Sequence, residues 1–223
     1  MPFLVEAPAS PAPAIAIGIE TQAPQKSSFV LFSFIILYID DKKNLVQKKM
    51  DSSQFKDVPV SLFLGVSIVI IFALYVTSII KTVPCGKNVF SLCCGNFVHI
   101  EPYHLMANLL GLYALTRVER DIGPKRFASL ILFLIIFTSI IEVVVHKIFV
   151  GFPCSIGFSG ILFGIMTWEL ITKKGFNFLI LTSIIGIVTM PYLQNSKVSL
   201  IGHAVGAITG IIGGFLWKFL SIN

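Results

Sequence analysis

Charge is what this chain has least of. Only 13% of its 223 residues are Asp, Glu, Lys or Arg, against roughly 25% in soluble domains, while 55% are apolar and 20 are phenylalanine. That balance excludes a domain surrounded by water and predicts an all-α, polytopic membrane protein. Other absences narrow the chemistry. No His-Glu-x-x-His occurs, and Pro102 interrupts the stretch between His99 and His104, so no metal site is expected, and no cofactor. There is no phosphate-binding Gly loop of the Lys-Ser type and no fixed-period repeat. The first residues lack the basic start and the cleavage site of a secretory signal.

Uncharged apolar runs close to the ~20 residues that cross a bilayer occur at about 60–80, 127–145, 175–193 and 198–217. Two shorter ones, 103–116 and 158–172, carry polar residues. The pattern predicts a six-transmembrane-helix bundle forming one domain over 59–220. Residues 1–28, rich in Pro and Ala without apolar periodicity, are expected to be disordered. Residues 29–58 hold a short apolar segment and a charged linker; Phe29 to Ile39 would reach only about 17 Å as a helix, too short to cross.

The net charge of +6 is no signature of nucleic-acid binding, because the basic residues stand in small groups between apolar runs. With the segment before the first span in the cytoplasm, thirteen of the 17 Lys and Arg fall on that side, and only Lys81, Lys87, Lys147 and Lys197 on the other. The positive-inside bias therefore places both termini in the cytoplasm, with Trp168 and Trp217 near the inner interface. Cys85, Cys93, Cys94 and Cys154 then all lie on the lumenal or extracellular side, where either disulfides or free thiols are compatible with the sequence.

Polar residues inside lipid are expensive and tend to be functional. In the expected topology the second, fourth and sixth spans all start at the outer face, so His104, Ser159 and His203 return to a similar depth. Glycine argues for lateral closeness: Gly202, Gly206, Gly210 and Gly214 recur every fourth residue, and Gly160 and Gly164 do the same on the fourth span. Small-xxx-small faces let transmembrane backbones approach closely. His203, three residues before Gly206, shares nearly the same face, and Ser159 adjoins Gly160, so a Ser159–His203 hydrogen bond is expected. Serine with a histidine base is the minimum equipment for acyl transfer. His104 and Asn108, four apart on one helical face, can aim donors at the negative oxygen of a tetrahedral intermediate, together with the Ser159 backbone N–H.

These motifs, His104 with Asn108, Gly157-Phe158-Ser159-Gly160, and His203 with Gly206 and Gly210, resemble those of the rhomboid family of intramembrane serine proteases over roughly residues 59–220. The resemblance implies Ser159 as nucleophile, His203 as general base, and His104 with Asn108 in the oxyanion site. It further implies that Phe163 packs on the catalytic imidazole and that His99 matches a second histidine at the entrance to the second span. The implied partners are the lipid bilayer and transmembrane protein substrates cut near the outer leaflet; organelle and oligomeric state stay open. Two departures stand out. The Trp-Arg pair common in the family's first loop is absent, and the run from Asn108 to Glu119 is one residue short and lacks its usual glycine.

Other function classes fit less well. A non-proteolytic rhomboid-like protein that binds membrane clients for trafficking or degradation is the alternative, yet such relatives typically lack the serine or the histidine. A small transporter would need Glu142 and Glu169 as an ion path. Glu169 is expected instead to snorkel or to pair at the surface with Lys173, and Glu142 to make a packing contact within reach of His146.

Overall fold

The structure is a computed structural model, and it describes residues 57–81, 88–149, 155–173, 181, 185 and 200–222. Six helices are described: α1 (Pro59–Val76), α2 (Val89–Gly95), α3 (Pro102–Ile122), α4 (Pro124–Ile148), α5 (Ser159–Thr172) and α6 (Leu200–Ile222). No strand occurs among the described residues. The tail expected over 1–28, nearly all of the 29–58 linker, the fifth expected span at 175–193 apart from residues 181 and 185, Cys85 and Cys154 lie outside the described residues. Cys93 and Cys94 are free thiols.

Proline opens α1, α3 and α4, where a missing N–H costs no helical hydrogen bond. Between α3 and α4 the chain turns at Gly123, whose φ of 83° lies in the left-handed region that glycine enters without Cβ strain. Among the described residues three helices are long and apolar enough to cross a membrane: α1, α4, and residues Ile201–Leu220 of α6. The two polar-bearing runs behave differently. The 103–116 run lies within α3, of 21 residues, whose last turns carry Arg117, Glu119 and Arg120. The 158–172 run yields α5, of only 14 residues, about 21 Å at 1.5 Å per residue.

Burial explains how so short a helix is accommodated. Every residue of α5 from Gly160 to Glu169 is buried, as expected of a helix apolar all round that is wrapped by others. In contrast, α1 buries Ser61, Leu64 and Ile68, one narrow stripe, and exposes Leu62, Phe63, Val66, Val69 and Ile70. An apolar outer face of this kind suits lipid.

The α5–α6 contact is the most extensive in the bundle. A Cβ placed on Gly206 would run into the Gly160 carbonyl, one on Gly210 into the Gly164 carbonyl, and one on Gly214 would lie 2.7 Å from Ile171 Cβ. The contacts advance together along both helices, so α5 and α6 run parallel with their backbones touching. The Thr167 hydroxyl joins them by donating to Ala207 O at 2.9 Å. Farther along, Trp168 and Trp217 meet edge to face at 5.4 Å.

Two carboxylates tie the bundle together. Glu119 is fully buried and accepts from Val60 N and Ser61 N at 2.8 Å and from Ser61 Oγ at 2.6 Å. It thus satisfies the first amides of α1 from across the fold, in place of a local cap. Glu169 accepts both arms of the Arg117 guanidinium, at 2.7 and 2.8 Å, and Lys173 Nζ at 2.6 Å. The expected Lys173 contact is made, but Glu169 is only 1% exposed and does not snorkel. The fork from α3, with its bidentate geometry, holds the carboxylate inside.

Candidate active site

Gly157 makes the approach to α5 sharp. Its φ is 98°, and a Cβ there would strike the His104 ring, so both backbone and space demand glycine. The turn is held at two points: Gly157 N donates to Gly95 O at 3.0 Å, and Phe158 N donates to His99 Nε2 at 3.4 Å. His99 Nδ1 lies 3.3 Å from Phe97 O. A proton on Nδ1, donated to that carbonyl, leaves Nε2 free to accept, so the neutral Nδ1–H tautomer fits both contacts. Burial, and then the neighbouring His104, hold the His99 imidazole at about 4, well below its usual 6.5. Its ring stands edge-on to His104 at 5.0 Å.

After this turn Ser159 is the first residue of α5. Its Oγ is 2.9 Å from His203 Nε2, the hydrogen bond expected from the glycine spacing. Phe163, one turn later, lies on the His203 ring at 4.5 Å between centroids, and His203 is 5% exposed. Its Nδ1 is buried without a protein partner. Among the described residues no carboxylate therefore orients the ring through Nδ1; Phe163 and the glycine seam position it.

His104 and Asn108 lie on α3, with the His104 ring against Gly157, two residues before Ser159. Asn108 Nδ2 donates to His104 O at 2.9 Å, while Asn108 Oδ1 and His104 Nε2 are buried without a protein partner. Native structures rarely leave such atoms unpaired unless water, an ion or a reacting group meets them. The supporting glycines are likewise accounted for: Gly157 against His104, and Gly160 and Gly206 against each other; Gly210 meets Gly164. Among the described residues no group of three or more His, Cys, Asp or Glu could hold a metal ion.

The structure adds residues that sequence reasoning had placed elsewhere. Glu142 shares a side-chain hydrogen bond with Ser155, and His146 Nε2 is buried without a partner, so the expected contact between the two is not made through that nitrogen. A buried glutamate in an apolar run was the signal available; its partner was not.

Geometry and relatives agree. The family profile described as Rhomboid domain matches residues 86–218, which include every residue of the site. A protein of Acanthamoeba polyphaga mimivirus, named provisionally as rhomboid protein L523, is 29% identical over 133 residues, 57% of this chain and 74% of the relative. With a family match over more than half its length, this apolar helical chain belongs to the rhomboid family of membrane proteins.

Proposed function

We propose that the chain is an intramembrane serine endopeptidase that hydrolyses peptide bonds within or next to the transmembrane helices of other membrane proteins. The observation that carries this reading is the 2.9 Å contact between Ser159 Oγ and His203 Nε2, made at the head of the α5–α6 seam. A nucleophile and a base within hydrogen-bond reach are what acyl transfer requires.

In the proposed reaction Ser159 Oγ attacks the scissile carbonyl carbon as His203 Nε2 takes its proton. The tetrahedral oxyanion is met by the Ser159 backbone N–H, by the second N–H of Asn108 Nδ2, and by His104 Nε2 in the tautomer that carries its proton there. Collapse breaks the C–N bond, and the imidazolium returns the proton to the departing amine. Water, deprotonated by His203, then hydrolyses the acyl-enzyme. A dyad suffices because a third acidic member would orient the base and take no proton itself. The packing of Phe163 supplies that orientation.

The membrane setting follows from charge distribution: both termini lie in the cytoplasm and the site faces the lumenal or extracellular side. The substrates are transmembrane helices. Exposing their backbone in lipid costs several kcal/mol per unpaired group, which favours segments already weakened by poor helix formers.

The test is cleavage of a model transmembrane substrate by purified protein. Ser159→Ala and His203→Ala are each expected to abolish cleavage, and chelators to leave it unchanged. Cleavage that survives Ser159→Ala rejects the assigned nucleophile. Client binding by a wild-type protein that cleaves nothing favours the non-proteolytic class.

A further inference from the structure

Glu142 is a carboxyl in the middle of an apolar bundle, 5% exposed, and among the described residues no lysine or arginine pairs with it. A group so costly to bury without a partner needs a role, and its surroundings indicate one. Its side chain is hydrogen-bonded to Ser155, whose hydroxyl donates to the carboxyl. A Cβ placed on Gly202 would lie 2.8 Å from Ser155 Oγ and 3.3 Å from Glu142 Oε1. The pair is therefore pressed against the α6 backbone, with only a glycine hydrogen between. Ser155 stands four residues before Ser159, on the segment that enters α5, and Gly202 directly precedes His203. Three chain segments meet at one hydrogen-bonded point: α4, the approach to the serine, and the start of the helix that bears the histidine.

We infer that Glu142 is a positioning residue: by holding Ser155 against Gly202 it sets the separation of the two segments that carry Ser159 and His203. The inference rests on the protease reading. It requires hydrogen bonding by residue 142, not its charge. Loss of the contact loosens the approach to α5 at a polar tie to α4, and a misplacement of about 1 Å at a reacting pair costs about 10²-fold in rate.

The experiment uses the full chain in detergent or proteoliposomes. It measures kcat and KM on a model transmembrane substrate, the rate of Ser159 labelling by a fluorophosphonate, and Tm. Glu142→Ala is expected to lower kcat and the labelling rate together by at least about ten-fold with KM little changed. Glu142→Gln, whose amide oxygen still accepts from Ser155, is expected to restore most of both and to keep the wild-type pH profile. Ser155→Ala made in the Glu142→Ala background is expected to add little, as for two ends of one bond. The inference is overturned if Glu142→Ala matches an active wild type, if Glu142→Gln fails as badly as Glu142→Ala, or if the loss is only a smaller folded fraction by Tm with unchanged turnover per folded molecule. A wild type inert to substrate and probe alike overturns the protease reading and this inference with it, whereas an active wild type with an equally active Glu142→Ala overturns this inference alone.

Discussion

Substituting one methyl group for one hydrogen at Gly206 tests whether the α5–α6 seam sets the chemistry. A Cβ at this position would fall on the Gly160 carbonyl oxygen, 2.6 Å from its carbon and 2.9 Å from Gly160 Cα. All three neighbours are backbone, so no side chain can swing aside. Carbon atoms settle at about 3.5–4.0 Å, so the two helices must part by about 1 Å. Gly160 adjoins Ser159 and Gly206 lies three residues after His203, so the parting falls directly on the Ser159–His203 bond. Stretched from 2.9 Å to about 4 Å, that contact is no longer a hydrogen bond. Gly206→Ala is therefore expected to cost about 10²-fold or more in kcat, together with about 1–3 kcal/mol of stability from overpacking. Gly65→Ala is the control: its Cβ would meet only Leu109 and Leu112 methyls, both at 3.8 Å, an ordinary contact, and stability is expected to hold or rise by up to about 1 kcal/mol from helix propensity. Both variants are assayed as reconstituted full chain for substrate cleavage and Tm. A Gly206→Ala protein that cleaves within about three-fold of wild type would mean that helix approach does not set the dyad distance.

Two further outcomes follow from groups outside the dyad. Glu119→Ala removes the acceptor for two α1 amides and the Ser61 hydroxyl; at about 1–3 kcal/mol for each buried donor left unmet, Tm is expected to fall clearly while the pH profile of cleavage keeps its shape. An unchanged Tm would mean that these donors find other acceptors. His99 is neutral in the fold down to about 4 and elsewhere titrates at 6.5, so between those values the unfolded chain binds more protons. Its stabilising contribution is then whole above pH 6.5 and lost as pH falls towards about 4, by roughly 3 kcal/mol in all. Protonation also removes the acceptor that Phe158 N uses, which loosens the turn before Ser159. Tm measured across this window is expected to decline with acid in wild type and to decline less in His99→Gln; parallel curves for the two would refute the assignment.

The difference between what the sequence foretold and what it did not lies in the range over which a residue's partner is fixed. The Ser159–His203 contact was legible because small residues every fourth position state which helix faces touch, and a helix that touches along glycine has few registers open to it; the place of Phe163 came from the family resemblance alone. Gly157 was legible as motif, though the reason for glycine there, a left-handed turn pressed on His104, appears only in three dimensions. The carboxylates were legible only in part, for the opposite cause. Glu142 and Glu169 were assigned partners four residues away, since helical neighbours are the only ones sequence spacing supplies. For Glu169 that found Lys173 but not Arg117, 52 residues distant; for Glu142 it offered a packing contact with His146 and not the bond to Ser155. A carboxyl group in an apolar bundle takes the partner that best repays its desolvation, wherever the fold delivers it. The short run 158–172, read as a span although below bilayer length, turns on the same principle. A helix needs bilayer length only if lipid surrounds it, and α5, buried from Gly160 to Glu169, is surrounded by protein. The enclosure that lets α5 be short also packs it along α6, and at the head of that seam Ser159 Oγ meets His203 Nε2, so on the proposed reading one packing arrangement accounts for both the length of the helix and the placement of its nucleophile.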